Sequence, residues 1–198
     1  DYGDALADAQ ALGYAEADPT ADVEGYDAGA KAAIIASIVF GVDVRSSDVQ
    51  HEGISKVTAS DIETAKRLGY VIKALAVIER IDGEVAVRVH PAMVPTSHPL
   101  ANVNDSFNAV FVEGAAVGDL MFYGRGAGGD PTASAVMGDV IDAAVNLTNK
   151  TAARLAITEK ATLRDADSLS SQYYLTMLVS DEPGVLAQVA TVLGAHGV

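Results

Sequence analysis

The chain has 198 residues, room for one large domain or two small ones, and its 49% hydrophobic and 20% charged residues exclude a disordered composition. Twenty-seven acids against 13 bases leave a net charge of −14, which argues against nucleic acid as a partner, and zero cysteines exclude disulfides and thiolate metal sites. No apolar run approaches the roughly 20 residues of a membrane span, no export signal is recognisable, and a cytoplasmic, membrane-free protein is expected.

The chain opens inside a helix, with Tyr2, Leu6, Ala9 and Leu12 on one stripe and Gly13 as its stop. It closes on His196, Gly197 and Val198 where a new strand would begin, so both ends read as cuts in a longer protein. After Gly13 come five carboxylates, Glu16, Asp18, Asp22, Glu24 and Asp27, with Pro19 among them. They predict an irregular connection and a helix start between Asp22 and Gly25, with Asp22 a candidate N-cap. From Tyr26 the pattern is helical, since Ala30, Ile34, Ile35, Ile38 and Val39 recur at three- and four-residue steps.

Lys31 is the only charge between Ala28 and Val42. Asp27 precedes it by four residues and shares its helix face, in the favoured acid-before-base order. On a solvated surface such a pair contributes about 0.3–0.5 kcal/mol. A helix apolar nearly all round is expected to be buried, and a desolvated lysine held by a carboxylate is suited to proton transfer near neutral pH.

Val42 to Ser60 is polar and turn-rich, with His51 expected on the surface. A short helix follows over DIETAKRLG, with Ile62, Ala65 and Leu68 on one face, Gly69 as its cap, and Lys73 beyond it expected to be solvated or snorkelling. Tyr70 to Arg80 and Val85 to His90 read as strands joined at Asp82-Gly83, a strong hairpin signal. Pro91, Pro95 and Pro99 predict a shaped loop. His90 and His98 lack a third ligand, and no metal site is expected. Phe107 to Glu113 and Val117 to Tyr123 form a second hairpin around Gly114.

Four such strands between helices imply an α+β domain with an open, mainly antiparallel or mixed sheet, covered by helices on one face. The other face or an edge is then available to a homo-oligomer, a homodimer or homotetramer.

Gly124, Gly126, Gly128 and Gly129 precede a long amphipathic helix carrying Val136, Val140, Ile141 and Ala144. Glycines ahead of a helix N-terminus let the backbone approach a ligand, or simply make a tight turn. The spacing is not that of a dinucleotide fingerprint, and no ribose-binding acid follows about 20 residues on. Asn149 to Ser171 reads as a linker, Tyr173 to Val179 as a strand and Pro183 to His196 as a helix.

Two long stretches carry a family resemblance. GYAEADPTADVEGYDAGAK resembles the homoserine dehydrogenase signature, in which Glu-x-Asp-Pro leads into Gly-x-Asp-x-x-x-Lys. HEGISKVTASDIETAKRLGYVIK and the Gly-x-Gly-Ala-Gly run before the Thr-Ala helix resemble later parts of the same family, in the same order. The resemblance implies reduction of L-aspartate 4-semialdehyde to L-homoserine with NAD or NADP. By position it implies Lys31 as general acid/base and Asp27 as the carboxylate that binds substrate and orients the lysine. Glu16 would hold the substrate amino group, while Gly13 and Gly128 lie against the cofactor. Asp22 matches a recurrent acid with no assigned role.

YYLTMLVSDEPGVLAQVATVLGAHG resembles the opening β–α unit of an ACT domain, a small amino-acid sensor that commonly answers to threonine in this family. The implied organisation is a catalytic and dimerisation domain over 1–148, a linker over 149–171 and a truncated sensor over 172–198. The family's nucleotide-binding half is missing, and the chain alone is expected to be inactive. Two other readings remain: a non-catalytic amino-acid-binding or dimerisation module, and a phosphate-binding module built on Gly124 to Gly129.

Overall fold

A computed structural model describes residues 2–13, 15–151, 157, 159–165 and 168–197. Its body is a long helix laid across a long β-hairpin. Helix α1 (Tyr2–Ala11) ends at Gly13 and α2 (Thr20–Val23) forms a single turn ahead of α3 (Tyr26–Phe40). Asp18 starts α2, accepting hydrogen bonds from the Thr20 hydroxyl (2.6 Å) and N–H (3.1 Å), which hold its carboxyl below the usual range. Gly25, not Asp22, occupies the N-cap of α3, at φ +78°. That left-handed conformation favours glycine, and a Cβ there would also lie 2.7 Å from Val89 Cγ1.

Strands β1 (Val42–Asp43) and β2 (Gln50–His51) and helix α4 (Ala59–Arg67) occupy the turn-rich stretch. Thr58 caps α4, accepting from the Asp61 N–H (3.2 Å) while Asp61 accepts from the Thr58 N–H (2.9 Å). The first hairpin pairs β3 (Tyr70–Ile81) with β4 (Glu84–Pro95), and β2 adds to β4 in parallel at Arg88 and Val89.

Strand β4 runs straight through the prolines expected to break it, with Pro91 opposite Ala74 and Pro95 opposite Tyr70. The register explains this. Val89 accepts from the Glu52 N–H (2.8 Å), so its backbone polar groups face β2, and those of residues 91, 93 and 95 face the same way. β2 has ended there, and the missing proline N–H groups break no ladder bond.

The second hairpin, β5 (Phe107–Gly114) with β6 (Gly118–Arg125), forms as expected but is a separate two-stranded sheet. The single four-stranded sheet therefore gives way to small mixed sheets in an α+β arrangement. Alternation predicts strands, but not which hairpins share a ladder. Helix α5 (Gly129–Asn149) follows, with no buried residue.

Within the stretch 149–171, β7 (Glu159–Lys160) pairs in parallel with β1, and Ala161 enters the core at 8% exposure. The Arg164 N–H donates to the Val85 carbonyl (2.9 Å). Residues 173–179 form no strand, because no neighbouring strand pairs with them. Helix α6 (Val185–Ala195) does form.

The core joins one face of α3 to the β3–β4 hairpin: Ala32, Ala33 and Ala36 meet Val85, Val87 and Val89. Small residues on the helix let its backbone approach the valines closely, and Ala36 is fully buried. The Ser37 hydroxyl donates to the Ala33 carbonyl (2.9 Å) and accepts from the Val44 N–H (3.0 Å), tying the turn after α3 to the helix.

Candidate functional site

The acidic connection delivers the chain to α3, and α3 carries the two residues that the spacing singled out. Lys31 Nζ lies 2.5 Å from Asp27 Oδ2, one helical turn away. The sequence expectation of a buried lysine is corrected, since the Lys31 side chain is 64% exposed and that of Asp27 45%. Composition placed apolar residues all round α3, but only its alanine face packs. Ile34, Ile38 and Val39 stand open beside the lysine, at 60%, 46% and 64% exposure. The amine is held by an acid at the edge of a bare apolar strip, not wrapped in hydrocarbon.

Among the described residues, none of the remaining candidates is hydrogen-bonded or ion-paired to this pair. Glu16 is exposed on the connection between α1 and α2, where its carbonyl accepts from Gln10 Nε2 (2.8 Å). Among the described residues no hydrogen bond or ion pair joins Glu16 to Asp27 or Lys31. Gly13 has φ +77° and nothing within 4 Å of where a Cβ would stand. Gly128, at φ +114°, is the N-cap of α5 on an exposed loop. Within that loop, a Cβ at Gly126 would lie 1.9 Å from Asn108 Nδ2, the end of an exposed side chain.

A cleft of about 1070 Å³ lies elsewhere, beside the open edge of β4, between the segment from Gln50 to Asp61 and the tail at Leu169 to Thr176. None of Gly13, Glu16, Asp27, Lys31 and Gly128 lines it. Asp61 lies there, its carboxyl held below the usual range by the Thr58 hydroxyl and N–H, with a smaller share from the Tyr174 hydroxyl. His90 also faces the cleft, and His98 instead accepts from the Leu100 N–H (3.2 Å) and packs edge-on against Phe111. No group of three or more metal-binding side chains gathers among the described residues.

Three residues outside the expected site prove to matter structurally. Lys73 is not free in solvent, because its Nζ donates to the Val103 carbonyl (2.5 Å) and Asn104 Oδ1 (3.1 Å), pinning the loop before β5. His51, expected on the surface, is half-buried. Its ring centroid lies 5.0 Å from that of Tyr26, and its Nε2 is buried without a hydrogen-bond partner among the described residues. Gly29 meets that ring, and a Cβ there would be 2.1 Å from His51 Nε2. Glycine inside a helix costs about 1 kcal/mol relative to alanine, so Gly29 in this alanine-rich helix was the sequence signal of a close approach.

A family model described as homoserine dehydrogenase matches residues 1–141. The homoserine dehydrogenase of Corynebacterium glutamicum is 51% identical over the whole of this chain, which covers 46% of that relative. The crystal structure of a homoserine dehydrogenase from Thiobacillus denitrificans matches 98% of this chain at 38% identity and a TM-score of 0.79, with 46% of that chain covered. A hyperthermophilic archaeal homoserine dehydrogenase in complex with NADPH matches 73% of this chain at 26% identity and a TM-score of 0.57, with 40% of that chain covered. The chain thus spans less than half the length of the curated relatives it matches.

Proposed function

This chain belongs to the homoserine dehydrogenase family, and we propose that the whole protein interconverts L-homoserine and L-aspartate 4-semialdehyde with NAD or NADP, this chain supplying the substrate side of the site. The observation that carries the reading is the 2.5 Å contact of Lys31 with Asp27 on a helix whose apolar strip is bare. When bound, the reduced nicotinamide supplies a hydride to the aldehyde carbon.

The residues' own work is to bind, orient and move a proton. Lys31, as ammonium, donates its proton to the aldehyde oxygen as that oxygen gains charge, and takes it back when the reaction runs in reverse. Asp27 holds the ammonium and keeps Nζ aimed, while Asp27 and Glu16 bind the substrate, the Glu16 carboxylate accepting from the substrate's amino group. Gly13 and Gly128 fit a nearby flat ring, because neither presents a side chain and Gly13 has open space where a Cβ would stand. The exposed Ile34, Ile38 and Val39 would be covered by the part of the protein that completes the site, giving Lys31 the dry surroundings it lacks in this chain.

The chain alone is then inactive. We read 1–148 as the catalytic and dimerisation domain, 149–171 as a linker that partly packs on it, and 172–198 as the start of a sensor-like module open to a threonine effector. The bare apolar side chains of β5–β6 and α5 would be the face on which a homodimer or homotetramer forms.

The test is Lys31→Ala in the complete protein. Turnover of homoserine should fall by roughly two to four orders of magnitude, with folding intact. Undiminished turnover would overturn the role given to Lys31, whereas a complete protein that binds the amino acid without turning it over, before and after the change, would leave the rival reading, a non-catalytic amino-acid-binding or dimerisation module.

A further inference from the structure

We propose that His51 is a positioning residue for the Asp27–Lys31 pair and sets the roll of α3 about its axis; the inference rests on the oxidoreductase reading above. The alanine face fixes the body of α3, but in its first turn only the half-buried Ala28 packs on that core. Its N-cap is Gly25, with no side-chain hydrogen bond to the helix. On the outer side, Tyr26 is 53% exposed and the Lys31 side chain 64%.

The constraint comes from β2 and the residues just after it. His51 lays its ring against Tyr26 and drives Nε2 onto the backbone of Gly29, so it grips the helix immediately before and just after Asp27. Two residues on, the Gly53 backbone presses on Glu24: a Cβ at Gly53 would lie 2.9 Å from Glu24 Cα. The Ile54 N–H donates to the Val23 carbonyl (2.9 Å).

His51 is itself fixed, paired with Val89 of β4, and Val89 also packs on Gly25. A continuous line of packed atoms therefore runs from the core sheet through the imidazole to the turn that carries Asp27. The contact acts by shape, because the ring occupies the space that a side chain at position 29 would need. A small roll of α3 leaves the Asp27–Lys31 contact intact, because both residues ride on the same helix. It changes where Nζ points relative to Glu16 and the substrate. Displacements on the order of 1 Å are enough to cost up to a hundredfold in rate.

The experiment compares His51→Ala, Gly29→Ala and the double variant in the complete protein, reading kcat, KM for homoserine and the thermal midpoint. His51→Ala is expected to lower kcat by about tenfold or more while leaving the nicotinamide KM unchanged. Gly29→Ala should be more damaging in the presence of His51, because its methyl meets the ring. The double variant should recover part of the activity that Gly29→Ala loses, since the space vacated by the imidazole accepts the methyl.

Unchanged kcat in a folded His51→Ala protein overturns the proposal, as does a double variant no better than Gly29→Ala. If His51→Ala does not fold, the comparison of Gly29→Ala with the double variant decides. A wild-type protein without dehydrogenase activity would instead overturn the functional reading.

Discussion

The two hairpins have similar local logic and opposite surroundings. In β3–β4, alternation puts Val85, Val87 and Val89 inward, where the alanine face of α3 covers them. In β5–β6 the ladder is equally regular, yet every residue of β6 is exposed, Phe122 at 64% and Tyr123 at 55%. Period-two patterning is enough to make a hairpin, whereas burial requires a second element of matching shape. The covered hairpin forms the sheet side of the buried core. The bare one, with α5 behind it in sequence, offers apolar surface to something outside the chain.

The contrast can be broken by overfilling the covered side. Ala36→Leu forces a larger side chain between α3 and the valines and should cost about 3 kcal/mol, visible as a lower denaturation midpoint. Phe122→Ser on the bare side should leave that midpoint unchanged and reduce self-association, read by light scattering. Equal losses from the two changes would mean that β5–β6 is packed in solution.

The second test is Ser37→Ala. It removes the acceptor for the Val44 N–H inside the core and should cost about 2 kcal/mol by chemical denaturation.

The smallest effect belongs to α4. Thr58→Ala removes the cap and should cost about 1 kcal/mol near neutral pH. The Asp61 carboxyl is lowered chiefly by the Thr58 hydroxyl, so its contribution is complete above the ordinary carboxylate range. It is lost as pH falls through the lowered folded value, and a pH series of midpoints should show the variant's acid-side dependence flattened.

Much of this was legible in the sequence. Tyr26–Phe40 follows from its three- and four-residue steps between Gly25 and Gly41, and Asp82-Gly83 gives the first turn. The Asp27–Lys31 contact follows from a four-residue spacing. The burial of Lys31 did not follow, because composition counts apolar residues without saying which face finds a partner. The path of β4 through Pro91 and Pro95 depends on where β2 stops, a tertiary fact. Residues 173–179 have the composition of a strand but no strand to pair with, and α6 forms nonetheless because helical hydrogen bonds are local. The grip of His51 on α3 was signalled only by the out-of-place Gly29.

The two prolines of β4 also decide how this molecule can meet its neighbours. Beyond Val89 that margin of the sheet is uncapped, and an incoming extended chain would need an unbroken row of amide donors to zip onto it. Pro91 and Pro95 remove two of those donors on the side that faces outward. Concentrating the protein should therefore drive side-chain association through the bare apolar faces and not fibrous growth along this rim.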